Sequence, residues 1–404
     1  MAEDDIYNNK KRYDLLASDF NKLLNKASGN KYYCKNKDNI KYFSMLTNSF
    51  DIDDLSYIRR LRQLYTLKLL TYYIESDLKD IDNKTRDNLI IELRKNIKSS
   101  NLRRTERDIK RIYKVLFDEN MPEPIKKLKF KVDISRQKAR EDKLTYEEFD
   151  SIMKFFSHDI VIQAYLSLAF ECLSRPQETL FIKIKNLEMH DNYAKIEISE
   201  HGKEGIKKLL SIDSFPYILK LYSNHENRKD RNAFLFLNEY NHQLTPFAIN
   251  KKLKRACRNL GIEKCISCYS IKRFGVTFRR LNGDDDVTIQ KIAGWSSTKQ
   301  LKTYDLSDQE DVFKMELIKR GLIKNNNLNK KPQSKVCQYC GNLIGFSESV
   351  CSKCSHIIDR DLVKERIEKD NELIDFIKSI KELKNNNPEL FDMLKEFGKE
   401  KGIC

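Results

Sequence analysis

Nowhere in the 404 residues is there an apolar run approaching the roughly 18–20 residues that a membrane-spanning helix needs, so no membrane association is expected. The start, MAEDDIYNNKKRYD, is charged where a secretory signal would be apolar, and a cytoplasmic location is the expectation. Acidic residues are the minority, 60 Asp+Glu against 76 Lys+Arg, and the formal net charge of +16 sets aside an acidic regulator. Ten cysteines are too few for a disulfide scaffold, and six of them fall into three Cys-x2-Cys pairs, which suits metal ligation better than oxidative stapling. Internal repeats and long low-complexity tracts are also missing. What remains is a folded, basic chain of two to four domains, with 40% hydrophobic residues to build their cores. The basic excess points to a polyanionic partner, because each neutralised phosphate releases condensed counterions.

The fold class read from the chain is mainly α and multidomain. Between residues 35 and 118, apolar residues at Leu55, Ile58, Leu61, Leu64, Leu67 and Leu70, then at Ile109, Ile112, Tyr113 and Leu116, recur at helical steps, and a helical domain is expected over 1–118. Residues 119–143 break the period at Pro122 and Pro124 and carry Lys126, Lys127, Lys129, Lys131, Arg136, Lys138 and Arg140, a basic linker. Thr145 and Glu148 form a T-x-x-E capping box that opens a second domain, 144–323. Within it, Ile162–Leu173 reads as helix, while Leu180–Leu187, Ala194–Ile198 and Leu209–Ile212 read as a small antiparallel sheet. Thr245-Pro246 then starts another helix. A joint at 324–336 leads to a cysteine cluster at 337–358 and a charged helical tail at 359–404 with an apolar stripe.

Cys337, Cys340, Cys351 and Cys354 form two Cys-x2-Cys knuckles separated by ten residues. Four thiolates at this spacing close a tetrahedron around Zn2+, and with no ligand position left open a single, structural zinc ion in a zinc ribbon is expected. Cys265 and Cys268 have only Cys257 near them and read as ordinary buried or helix-flank cysteines.

Taken singly, Arg175 with Glu178 would be a helix-end ion pair, Lys203 a turn lysine, Trp295 a core residue and Tyr304 one of 19 tyrosines. Together their order and spacing resemble the tyrosine recombinase, or phage integrase, family over Leu144 to about Leu322. That family carries an Arg in G-x-R-x-x-E, a Lys on a β-hairpin, an H-x-L-R-H block, a His or Trp after glycine, and a nucleophilic Tyr nine residues on. Arg175 and Glu178 match the first motif, with Cys172 standing for its glycine. Lys203, after Gly202, matches the second, and Gly294-Trp295 with Tyr304 match the last two. The third block departs from the family: Tyr269 falls on its histidine and Lys272 on its second arginine, with Arg273 one step later.

The resemblance implies a helical, SAM-like core-binding domain ahead of an α+β catalytic domain, the two forming a clamp on double-stranded DNA, with four protomers on synapsed sites. It implies that Arg175 and either Lys272 or Arg273 hold the scissile phosphate, and that Trp295 donates a bond to it. Tyr304 attacks to give a 3′-phosphotyrosyl ester, and Lys203 protonates the leaving 5′ oxygen, with no catalytic metal or nucleotide. Integration or excision of a mobile or viral element is the implied role, and the appended zinc ribbon is similar to that of archaeal integrase-like proteins. A catalytically silent DNA-binding protein on the same scaffold and a type IB topoisomerase-like enzyme are the rival readings.

Overall fold

The computed structural model describes residues 5, 7–24, 31–130, 141–198, 207–323, 332–358, 360–386, 388–389 and 393. The chain divides into two compact units, Met1–Glu141 and Asp142–Cys404.

Helices α1 (Asn9–Ala17), α2 (Lys41–Ile52), α3 (Tyr57–Tyr73), α4 (Asn83–Asn96) and α5 (Ser99–Phe117), then the single turn α6 (Glu123–Lys126), build the first unit. Asp82 caps α4, its carboxylate accepting the Thr85 N–H at 2.8 Å. Phe43, Leu46 and Phe50 of α2, Leu64 and Leu67 of α3, and Ile109, Ile112 and Tyr113 of α5 meet in one core. Each such aliphatic side chain contributes about 1.5–3 kcal/mol through burial. Ile58 does not share in it and is 57% exposed. Strict three-residue steps drift by roughly 60° each around a helix, so the Leu55-to-Leu70 series cannot keep every member on one face. Ile125, Leu128 and Phe130 belong to this core too. The basic segment therefore begins inside the unit; its Lys131, Arg136, Lys138 and Arg140 lie outside the described residues.

In the second unit, α7 (Tyr146–Phe155) starts at the expected capping box. Thr145 Oγ1 accepts the Glu148 N–H at 3.2 Å, and Glu148 Oε2 accepts the Thr145 N–H at 2.8 Å. Helix α8 (Ile160–Glu171) is buried on every side from Ile162 to Phe170, the environment an all-round apolar helix requires. Helix α9 (Pro176–Leu180) follows, and then an antiparallel sheet in the order β1 (Leu187–Met189), β2 (Ala194–Ile198), β3 (Lys207–Ser211). Ile196 pairs with Leu187 on one side and Leu209 on the other. The apolar run Leu180–Leu187 is not a strand. Pro176 and Glu178 set up a helical turn through Leu180, and a 3-10 turn at Ile184–Asn186 delays β1 to Leu187.

Helices α10 (Phe215–Ser223), α11 (Pro246–Asn259), α12 (Cys268–Leu281), α13 (Asp286–Ala293), α14 (Leu301–Tyr304) and α15 (Gln309–Lys319) complete the helical layer. Thr245 caps α11 as expected, accepting the Ala248 N–H at 3.2 Å. A hairpin of β4 (Lys335–Val336) and β5 (Leu343–Ile344) carries the first cysteine knuckle, and α16 (Arg360–Asn386) ends the described chain's regular structure. No described helix is long and apolar enough to cross a membrane.

Candidate active site

Arg175 stands at the N-cap of α9, where the chain leaves α8 through Leu173 and Ser174. Glu178, one turn on, takes both the Arg175 N–H (2.7 Å, Oε2) and its guanidinium (2.6 Å, Oε1). The Arg175 side chain is thus aimed by a carboxylate that is itself nearly sealed from solvent. Its other terminal nitrogen reaches Gln300 Oε1 at 3.4 Å, which ties the α9 corner to the segment before Tyr304. In the G-x-R-x-x-E spacing the glycine's place falls on Leu173, two residues before Arg175, and not on Cys172. Leu173 takes φ 50°, a left-handed conformation that glycine adopts freely and leucine does not. Cys172 is a buried neighbour whose thiol, pushed up by burial, bonds the Leu210 carbonyl at 3.3 Å.

Tyr304 closes α14, and its ring stacks on Trp295 at 5.2 Å between centroids. Lys272, fully buried on α12, sets its ammonium 5.4 Å from the Trp295 ring and 4.9 Å from the Tyr304 ring, the geometry of paired cation–π contacts. Tyr269 lies one turn before Lys272 on the same helix, 42% exposed. Burial raises its hydroxyl pKa; Tyr304 raises it further and Arg175 draws it back. Arg273 is half-buried, and its Nε is sealed from solvent with no hydrogen-bond partner among the described residues. The indole Nε1 of Trp295 is in the same condition. The Trp295 donor, buried without an acceptor against the Tyr304 ring, is a point that an anion would complete.

Burial pushes the Glu178 carboxyl up, but Lys207 and Lys272 and then Arg175 outweigh it, and the net shift is downward. Glu178 is therefore held as a carboxylate among three cations. Lys207 was not anticipated from the sequence. It opens β3 facing inward in the strand's alternation, with Nζ 3.8 Å from Glu178 Oε2. Counting back in steps of two from Leu209 and Ser211 would have put it inside. Lys203 lies outside the described residues. The structure thus brings together Arg175, Glu178, Tyr269, Lys272, Trp295 and Tyr304 from four separate stretches of chain.

Residues 142–311 match the family model described as the phage integrase family. The matched segment is thus similar to the phage integrase family, a family of tyrosine-type DNA strand-exchange enzymes, and Tyr304 and the orphan Trp295 donor both lie within it. Among solved structures, the XerH site-specific recombinase bound to palindromic difH substrate is 14% identical, with a TM-score of 0.54 over 78% of this chain and 96% of that one. The Tn1549 transposon integrase in complex with transposon right end DNA is 12% identical, with a TM-score of 0.54 over 69% and 99%. A lambda integrase dimer bound to a COC′ core site is 14% identical, with a TM-score of 0.51 over 66% and 95%. At these identities the likeness establishes the fold. A search of curated proteins gave no match.

Two features lie apart from this centre. In the first unit, Arg59 and Arg62 of α3 and Arg104, Arg107 and Arg111 of α5 line one groove. Arg62 is paired to Asp108 at 2.7 Å and Arg111 to Asp53 at 2.8 Å, whereas Arg59, Arg104 and Arg107 have no acidic partner among the described residues. In the second unit, the sulfurs of Cys337, Cys340, Cys351 and Cys354 all lie within 4.8 Å of one another, with 3.6 Å between Cys337 and Cys354 and between Cys340 and Cys351. Four thiolates about 2.3 Å from a tetrahedral ion would be roughly 3.8 Å apart, so the set fits a metal. The loop between the knuckles is anchored on the catalytic unit. Ser347 donates its N–H to the Tyr217 hydroxyl at 3.0 Å, Phe346 packs edge-on against Tyr217 at 5.4 Å, and Lys220 pairs with Glu348 at 3.2 Å. A Cβ on Gly345 would lie 2.2 Å from Tyr217 Cζ, which explains glycine at that contact.

Proposed function

We propose that this chain is a site-specific DNA recombinase that cuts and rejoins DNA through Tyr304. The observation that carries the reading is the packing of Lys272 and Trp295 against the Tyr304 ring, with Arg175 tied to the same segment through Gln300 and the Trp295 Nε1 donor left open for an anion. A phosphodiester repels nucleophiles, and its displacement spreads negative charge over the non-bridging oxygens, so preorganised cations supply most of the catalysis. Arg175 grips two oxygens as a fork, Trp295 Nε1 and Arg273 Nε donate further bonds, and Lys272 places its charge beneath the attacking phenol. The Tyr304 oxygen, its proton passing to solvent water, bonds to phosphorus as the P–O5′ bond breaks, leaving a 3′-phosphotyrosyl ester, and the departing 5′ oxygen takes a proton from Lys203. Reversal on a second 5′-hydroxyl needs neither ATP nor a catalytic metal. Tyr269, in the histidine's place and neutral at pH 7 as any phenol is, serves as a hydroxyl donor to the phosphate.

The thiolate cluster holds zinc as a structural ion. Double-stranded DNA is the partner, a tetramer on paired sites the working assembly, and integration or excision of a mobile element the role. On a duplex nicked beside the scissile phosphate, wild-type protein is expected to accumulate a covalent adduct. Tyr304→Phe should reduce it at least about 10⁴-fold while holding DNA with unchanged affinity. A shifted band without any wild-type adduct would mark a binding protein only.

The arginine groove of the first unit serves as a phosphate track. Replacing Arg59, Arg104 and Arg107 with alanine is expected to flatten the slope of log K against log salt by about 2–3, at about 0.9 per lost phosphate contact. Salt titrations of DNA binding read this directly, and an unaltered slope excludes the groove.

A further inference from the structure

We infer that Lys207 is a positioning residue that locks the phosphate-binding corner together, an inference that rests on the reading of this centre as DNA-cleaving. Its ammonium donates to the carbonyl of Ala293 at 3.0 Å and to that of Cys172 at 3.4 Å, and stands 3.8 Å from Glu178 Oε2. Ala293 is the last residue of α13, and Cys172 is the C-cap of α8. Both carbonyls therefore belong to helix C-termini, where backbone acceptors are left over and the helix dipole favours a cation. One buried charge thus joins three elements. From the end of α8 the chain runs through Leu173 to Arg175. From the end of α13 it runs through Gly294 to Trp295. Glu178 is the carboxylate that aims Arg175.

The fit is close. Gly294 adopts φ 64°, and a Cβ there would lie 2.7 Å from Lys207 Cδ, so the lysine stem fills the space a side chain at 294 would need. Lys207 is itself buried, 8% exposed, which places its charge on these neighbours, so it acts through them.

Lys207→Met tests this in the full-length protein. The rate of covalent adduct formation at saturating nicked duplex is expected to fall on the order of 100-fold, the cost of a displacement of about 1 Å in a catalytic group, with DNA affinity unchanged. Trp295 is the only tryptophan, so intrinsic emission reports on the corner alone, and it is expected to shift in the folded variant. A duplex with sulfur in place of the bridging 5′ oxygen, whose leaving group needs no proton, should be cleaved just as slowly relative to wild type. Should Lys207→Met leave Glu178 too poorly compensated to fold, Lys207→Met with Glu178→Gln, set against Glu178→Gln alone, carries the same readouts. A rate within about threefold of the reference protein overturns the inference, since a misplaced corner costs far more. So does unchanged emission. Rescue by the sulfur substrate also overturns it, because Lys207 would then be the proton donor. If wild-type protein forms no adduct, the DNA-cleaving reading itself fails, while an emission shift in Lys207→Met would still report the lock.

Discussion

Arg175→Ala slows adduct formation about 10³-fold, the loss expected when a charged fork is removed from a displacement at phosphorus. Folding should survive the change. Glu178 loses its 2.6 Å partner but keeps Lys207 and Lys272, both of which hold its carboxyl low, so no buried charge is stranded. Arg175→Lys should recover little, because an ammonium cannot hold two phosphate oxygens and Glu178 in one plane. Single-turnover cleavage with circular dichroism as the folding control measures both. A rate for Arg175→Ala within tenfold of wild type would mean that the cation beside Tyr304 is Lys272 alone.

On the reading that Cys337, Cys340, Cys351 and Cys354 hold a zinc ion, its removal is expected to lower the thermal midpoint of the protein by about 10 °C. The ribbon is no independent appendage: Phe346 and Ser347 are buried against Tyr217, which lies within the catalytic unit. Without the ion, a segment with few buried apolar residues of its own has little to hold it, and its loop leaves that seat. Unseating one buried phenylalanine costs about 3–5 kcal/mol, and each kcal/mol moves the midpoint of a unit this size by about 2–4 °C. Thermal melts with and without chelator, alongside a colorimetric zinc assay, give the comparison, and Cys351→Ser should behave as the stripped protein does. An unchanged midpoint would show that the thiols are not part of the fold's support.

How much of this was legible in the sequence follows from the range of each interaction. The Thr145 and Thr245 caps, the Arg175–Glu178 pair and the cysteine knuckles are local, set by residues a few positions apart, and spacing alone revealed them. Register within the first motif was less certain. Leu173, not Cys172, lies two residues before Arg175 in the motif's spacing, and its φ of 50° shows the left-handed backbone that the place needs. The run Leu180–Leu187 has the composition of a strand, yet Pro176 and Glu178 commit its beginning to a helical turn. Lys207 was hidden because adjacent lysines at 207 and 208 look alike until the strand's alternation sends one inward. The seating of Ser347 on Tyr217 spans 130 residues, a separation no periodicity reports.

Tyrosine identity is the central claim, and two tyrosines stand in the centre, Tyr304 and the more exposed Tyr269. Digesting the adduct trapped on a nicked duplex, and sequencing the DNA-linked peptide by mass spectrometry, decides between them. The account expects one linked peptide, carrying Tyr304 joined to a 3′-phosphate. A link at Tyr269, or to a 5′-phosphate, would contradict it.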